Sequence, residues 1–265
     1  MTRPRVAHRA AIAVTVLALT IWLATPAQAV SFGYFVGNAS GTPAGAITAA
    51  GATPVLVADL SDLSGISALW ILNGSNGGYG ADVTANVASI AAFVQAGGVL
   101  SFHDRRVTEA ATILPGAGGI TFVHGFGTNI DIVTGGTPVT SGPGGVIGAT
   151  TLDGGNYSNH GYATLASLPA GAVPIFSNGV EGQIVDFYYP FGAGTVYYST
   201  IPLDFYLGGS GNNPPADAFR NIYAPNEAAF QAGEAGDLAP VPEPATIVLL
   251  GSALAGIGWK LRRRS

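Results

Sequence analysis

The chain has no cysteine, and its single lysine, Lys260, lies five residues from the end. Without thiols there is no disulfide, no thiolate nucleophile and no thiolate metal site. Basic residues are scarce and stand mostly at the two ends. Of ten Lys and Arg, three are Arg3, Arg5 and Arg9, and four are Lys260 and Arg262 to Arg264. That leaves Arg105, Arg106 and Arg220 in between, against fourteen of the fifteen acids. The interior therefore carries 3 − 14 = −11, while the whole chain carries −5. Such a domain repels polyanions, which excludes nucleic-acid binding through a phosphate-neutralising patch. No repeat of solenoid period is present. A domain without disulfides depends on core size, and about 210 residues between the ends suffice for one core.

The ends are specialised. Arg3, Arg5 and Arg9 precede an apolar run from Ala10 to Ala24, broken by Pro26. Ala27-Gln28-Ala29 then supplies an A-x-A site, so residues 1–29 read as a secretory signal peptide cleaved between Ala29 and Val30 and handled by the Sec translocon. At the other end stand Pro242-Glu243-Pro244, the uncharged run Ala245 to Trp259, and a cationic terminus. Fifteen helical residues span roughly 22 Å, short of a hydrocarbon core of ~30 Å. Extension through Lys260 to Leu261 gives a membrane segment over 245–261 with the arginines held on the cytoplasmic side. The order of these parts resembles the PEP-CTERM sorting signal of Gram-negative bacteria, over residues 241–265. The resemblance implies an exosortase substrate. Such a chain is anchored in the inner membrane before processing, then secreted to the cell surface or extracellular matrix, where exopolysaccharide and biofilm are the expected surroundings.

Between the ends, residues 30–232 read as one α/β domain, and 233–240 as a polar spacer. Ser31–Val36, Pro54–Val57 and Ala68–Leu72 are strand-like, and Gly41–Ala50 is a short Ala-rich helix. Asp82 is placed to cap a helix whose stripe is Val83, Val87, Ile90 and Val94, ended by Gly97. Gly98–Phe102 then forms a strand and Val107–Leu114 a helix. This spacing predicts βαβ units and a mostly parallel sheet in a three-layer domain. The second half is strand-rich. A closing helix is expected over Asp217–Ala232, interrupted at Pro225.

Phe93-Val94-Gln95-Ala96-Gly97-Gly98, the strand Val99–Phe102 and His103 are similar to the class I glutamine amidotransferase-like superfamily. Tyr189 to Val196 and Thr200 to Asp204 extend the similarity. It implies an α/β sandwich in which the strand after Gly-Gly leads to a cysteine nucleophile. Here Ser101-Phe102-His103-Asp104-Arg105 occupies that place, so the family's glutaminase chemistry does not transfer.

Ser101, His103 and Asp104 are the catalytic candidates for a hydrolase acting on carbohydrate or peptide. On a strand, Ser101 and His103 share a face and Asp104 does not. Asp153, Asn156, Asn159 and His160 form a polar loop whose oxygens suit calcium, although it lacks the terminal bidentate acid of an EF-hand. Tyr157, His160 and Tyr162 offer a stacking surface for a glycan instead. The aromatic set from Tyr188 to Tyr206 reads as core. The leading expectation is a non-enzymatic exported envelope or matrix protein, with the hydrolase and the calcium- or glycan-binding module as alternatives.

Overall fold

The computed structural model describes residues 30–211 and 215–238. The signal peptide, the sorting motif and the segment 245–261 lie outside them. Among the described residues no helix is long and apolar enough to cross a membrane.

The structure is a mixed α/β domain built on one ten-stranded sheet. Strands β1 (Ser31–Phe35), β2 (Thr53–Leu56), β3 (Ala68–Asn73), β4 (Val99–Asp104) and β12 (Gly194–Ser199) run parallel in the order β2-β1-β3-β4-β12. Beyond β12 the sheet turns antiparallel through β11 (Gln183–Phe191), β10 (Val173–Ser177) and β6 (Asp131–Ile132). A side branch pairs β9 (Asn159–Thr164) with β11 and with β5 (Phe122–Gly127). A two-stranded ribbon joins β7 (Ser141–Gly142) and β8 (Gly145–Val146).

Strands β3 and β4 are buried throughout, so their apolar residues run almost without break. The two-residue period still sorts their side chains. Trp70, Leu72, Val99 and Tyr197 pack on one face with the C-terminal helical segment. Leu69, Ile71, Leu100, Phe102 and Tyr198 pack on the other with Val83, Ile90 and Val94. The latter three lie on α2 (Ala81–Ala85) and α3 (Val87–Gln95). Each aliphatic side chain so buried contributes about 1.5–3 kcal/mol.

Several elements differ from their sequence patterns. The stripe from Val83 to Val94 is real, but the helix breaks at Asn86. Its first N-cap is Gly80, with Asp82 in the first turn. Gly97 takes φ 109°, as a helix-ending glycine should. The helix expected over Val107–Leu114 shrinks to a 3-10 turn at Ala110–Thr112. The cause is Val107, whose φ of 60° breaks helical geometry while its N–H is held by Asp104. The short helix after β1 is α1 (Ala44–Ala49), and α4 (Leu203–Leu207) follows β12.

The closing helix is longer than expected. It runs from α5 (Pro215–Ala218) through a π turn at Phe219–Tyr223 into α6 (Ala224–Leu238). Pro225 removes one backbone donor, and the wider π turn just before it lets the axis continue. Residues 233–238, read as spacer, are therefore helical. Ala235 is buried, and Glu234 accepts a bond from Thr195 Oγ1 at 3.1 Å.

One buried carboxylate fixes the end of β4. Asp104 accepts from Asn73 Nδ2 at 3.0 Å, Tyr79 OH at 3.0 Å, Tyr198 OH at 3.1 Å, and the N–H groups of Arg106 and Val107 at 2.7 and 3.0 Å. Burial raises its pKa, and these bonds pull back against that rise. Asp104 thus joins β3, β12 and the following turn. Asp104→Ala would strand several buried donors at ~1–3 kcal/mol each, so a loss of about 3–5 kcal/mol in urea unfolding is expected. A loss below about 1 kcal/mol would remove Asp104 from this role.

Candidate functional site

Two polar constellations surround the ends of the central strands. The first is closed. Ser101 and His103 project from β4 toward α6, as strand alternation requires. Both reach Glu227: Ser101 Oγ donates to Oε1 at 2.6 Å, and His103 Nε2 lies 2.7 Å from Oε2. Gln231, one turn further along α6, donates to Oε1 at 2.7 Å. Tyr223, one turn before, donates to Asp186 Oδ2 on β11 at 2.7 Å. Ser101, Asp186, Glu227 and Gln231 are fully buried, and His103 is 2 % exposed.

The electrostatics follow from burial. His103 Nδ1 faces the carbonyl of Ile201 at 3.2 Å, so both ring nitrogens meet acceptors and suit a doubly protonated ring. Burial pushes the His103 pKa down. The charge and hydrogen bond of Glu227, with help from Asp186 and the Ile201 carbonyl, outweigh that and raise it. Asp186 is pushed up to about 7, first by burial and then by the Glu227 charge. The raised His103 pKa favours the charged ring beside Glu227, and Asp186, pushed up to about 7, keeps part of its proton near neutrality.

The catalytic candidates are therefore split. Ser101 and His103 come together, but around Glu227 and away from solvent. Asp104 points to the opposite face, where Tyr79 and Tyr198 hold it. Glu227, Asp186 and Tyr223 were not singled out by the sequence patterns. The legible signal was Tyr223, Glu227 and Gln231 at four-residue spacing, a polar stripe in an Ala-rich helix.

The second constellation is open. It lies at the carboxyl ends of β3, β4 and β12, where open α/β sheets place ligands. Arg105, Asn156, Tyr157, His160, Pro202 and Phe205 line a small cleft there. His160 Nδ1 lies 2.9 Å from Asn76 Oδ1. Burial, then the Arg105 charge, pushes the His160 pKa down to about 3, so the ring is neutral. Arg105 meets Asp204 at a long 3.4 Å, and its Nε is buried without a partner. The crevice between β1 and β3 is itself filled: Ser40 Oγ donates to Asp204 Oδ2 at 3.0 Å, and Gly74 N–H to Asn38 Oδ1 at 3.0 Å.

Of the four loop residues considered for calcium, Asn156 and His160 line this cleft. Asp153 instead accepts the Ile130 N–H at 2.8 Å, and Asn159 donates to the Asn129 carbonyl at 3.1 Å. Among the described residues no three His, Asp or Glu side chains converge as a metal site. Tyr157 and His160 stand together, and Phe126 joins them. The set from Tyr188 to Tyr206 is largely core, with Tyr189, Tyr197, Tyr198 and Tyr206 buried.

Comparison with known proteins adds the following. A family model described as the PEP-CTERM protein-sorting motif matches residues 240–264. The match supports an exported chain sorted as an exosortase substrate. No curated protein matches the chain in sequence. Among solved structures, a cytoplasmic protein from Salmonella typhimurium is similar at 9% identity and TM-score 0.47, covering 77% of this chain and 97% of that one. An exo-β-1,4-mannosidase from Opitutaceae bacterium strain TAV5 is similar at 14% identity and TM-score 0.42 over 77% of this chain. A β-galactosidase from Rahnella sp. R3 is similar at 14% identity and TM-score 0.42 over 74% of it. The chain spans 36% and 30% of the length of those two glycosidases.

The closed cluster predicts a pH dependence. An acid whose folded pKa is raised keeps its proton where the unfolded chain has lost it. For Asp186 that window runs from ~4 to about 7, and stability falls as pH rises through it, then levels. The raised His103 adds stability that is present below ~6.5 and is lost as pH climbs through its folded pKa. Asp186→Asn should flatten the melting temperature between about pH 4.5 and about pH 7, and melt above wild type at about pH 8. Identical slopes in the two proteins would contradict the protonated Asp186.

Proposed function

We propose that the chain is a non-catalytic protein of the cell envelope or extracellular matrix, exported through the Sec translocon and delivered by its C-terminal signal. The match of the sorting motif to residues 240–264 carries this reading. Exosortase would process the chain near Pro242-Glu243-Pro244 after a transient stop in the inner membrane over 245–261. The destination would be a matrix containing exopolysaccharide, as in a biofilm.

The domain is read as an amidotransferase-like sandwich that has no nucleophile. What supports the missing nucleophile is local chemistry. The chain contains no cysteine, and β4 ends at a five-fold bonded Asp104. A hydrolase built on Ser101 and His103 is disfavoured by their burial. A serine nucleophile needs a free base within hydrogen-bond reach and room for the substrate carbonyl or anomeric carbon. Here the nearest carboxylate already binds both side chains, and α6 covers them.

Replacing Pro242, Glu243 and Pro244 together by alanine tests the sorting reading in cells that export the protein. Wild type should yield a mature chain that has lost its apolar tail. The variant should keep the tail and accumulate in the inner membrane. An identical mature mass for both would overturn the proposal.

A further inference from the structure

Phe126 and Tyr157 are 53 % and 50 % exposed, and no other Phe, Tyr or Trp among the described residues is as open. They come from segments 31 residues apart, yet their rings lie 4.6 Å apart. A polar, acidic surface that leaves two large aromatic rings in water, touching each other, has a surface for something to cover.

The backbone builds this pair. The β5–β9 ladder runs in register from Phe122 to His124, then shifts before Gly127 opposite Asn159. Phe126 sits in that irregularity, and bulges re-aim side chains in this way. Gly161 allows it by letting β9 approach Val123 closely: a Cβ there would strike the Val123 carbonyl, and its φ is 137°. His160 meets the Phe126 ring edge-on at 4.9 Å, and His124 does the same at 4.9 Å. Tyr157 and His160 continue into the cleft with Arg105 and Phe205.

The space inside the cleft is about 40 Å³. At roughly 10–15 Å³ per water it holds a few waters or one hydroxymethyl group, and not a whole pyranose ring. The occupant must therefore lie on the aromatic rim and send a small polar group inward. Arg105 lines the cleft with a partly exposed guanidinium, whose N–H groups are donors for that group. Asp204 offsets the Arg105 charge, and the surrounding domain is strongly acidic, so an anionic ligand is disfavoured.

We propose that Phe126 and Tyr157 form a platform for a neutral glycan. The apolar C–H face of one sugar would stack on one ring while the other, tilted by 41°, flanks it, and a hydroxymethyl or hydroxyl group would enter the cleft beside Arg105. The inference rests on the export reading only for where such a glycan is met.

The test uses the full chain in mild detergent, titrated calorimetrically with neutral β-1,4-linked hexose oligosaccharides and with a polyuronate of matching length. Binding to a neutral series is expected. Phe126→Ala and Tyr157→Ala should each weaken it about tenfold, ~1.4 kcal/mol, with unchanged melting temperatures because both rings are half exposed. Arg105→Met should weaken it as well. No neutral binding by the folded chain, binding to the polyuronate alone, or affinity indifferent to both aromatic substitutions would each overturn the platform. Mass spectrometry of the recovered oligosaccharide separates the two readings. A shortened product with aromatic-dependent binding would support the platform and count against the non-catalytic role, whereas failed binding leaves the sorting result untouched.

Discussion

Glu227 reaches from the last helix to two side chains of the central strand and binds both. Everything on that face of the sheet is arranged around the contact. The carboxylate sits fully buried between Ser101, His103 and Gln231. Such a group is tolerated only when its lone pairs are filled. It therefore dictates the register of α6 on β4: moving the helix by a residue would leave an unpaired buried acid and a buried histidine. Breaking a pair of this kind costs about 3–5 kcal/mol, far more than an exposed ion pair. The Ala-rich helix, whose own apolar stripe is weak, is positioned by polar specificity. That helix also leads directly toward the sorting motif, so its docking anchors the end of the domain from which the export signal continues.

The opposite face shows the same logic with a different carboxylate. Asp104 collects five donors and closes the turn after β4, including the left-handed Val107. With both faces of the strand end committed to structure, little of β4 remains for chemistry. The open surface is displaced outward to the loops after the strands and to the β5–β9 branch. Binding residues carried on loops over a rigid sheet are a common arrangement. Here the rigidity comes from two buried acids, and the proposed platform is made by two exposed aromatic rings.

The α/β class and the helical stripe from Val83 to Val94 were legible, because buried faces leave a strong apolar pattern with glycine at its end. The split of Ser101 and His103 from Asp104 also followed from strand alternation alone. What was not legible depends on contacts distant in sequence. Glu227 lies 124 residues from His103, and its polar stripe with Tyr223 and Gln231 does not say which strand it meets. Phe126 is exposed because of a ladder irregularity, which a short Gly-rich stretch does not announce. Val107–Leu114 had helical composition, but one hydrogen bond to Asp104 overrode it. At Pro225 the pattern suggested an interruption, and the π turn carried the helix through.

The central claim is that the His103 cluster is a closed structural device while the solvent-facing aromatics lie elsewhere. Histidine acylation of the native full chain, located residue by residue by mass spectrometry, tests it most directly. His124, partly exposed beside Phe126, should label while the protein remains folded. His103, 2 % exposed and held by Glu227, should stay unlabelled until denaturant is added. Labelling of His103 in the folded chain at the rate of His124 would contradict the account.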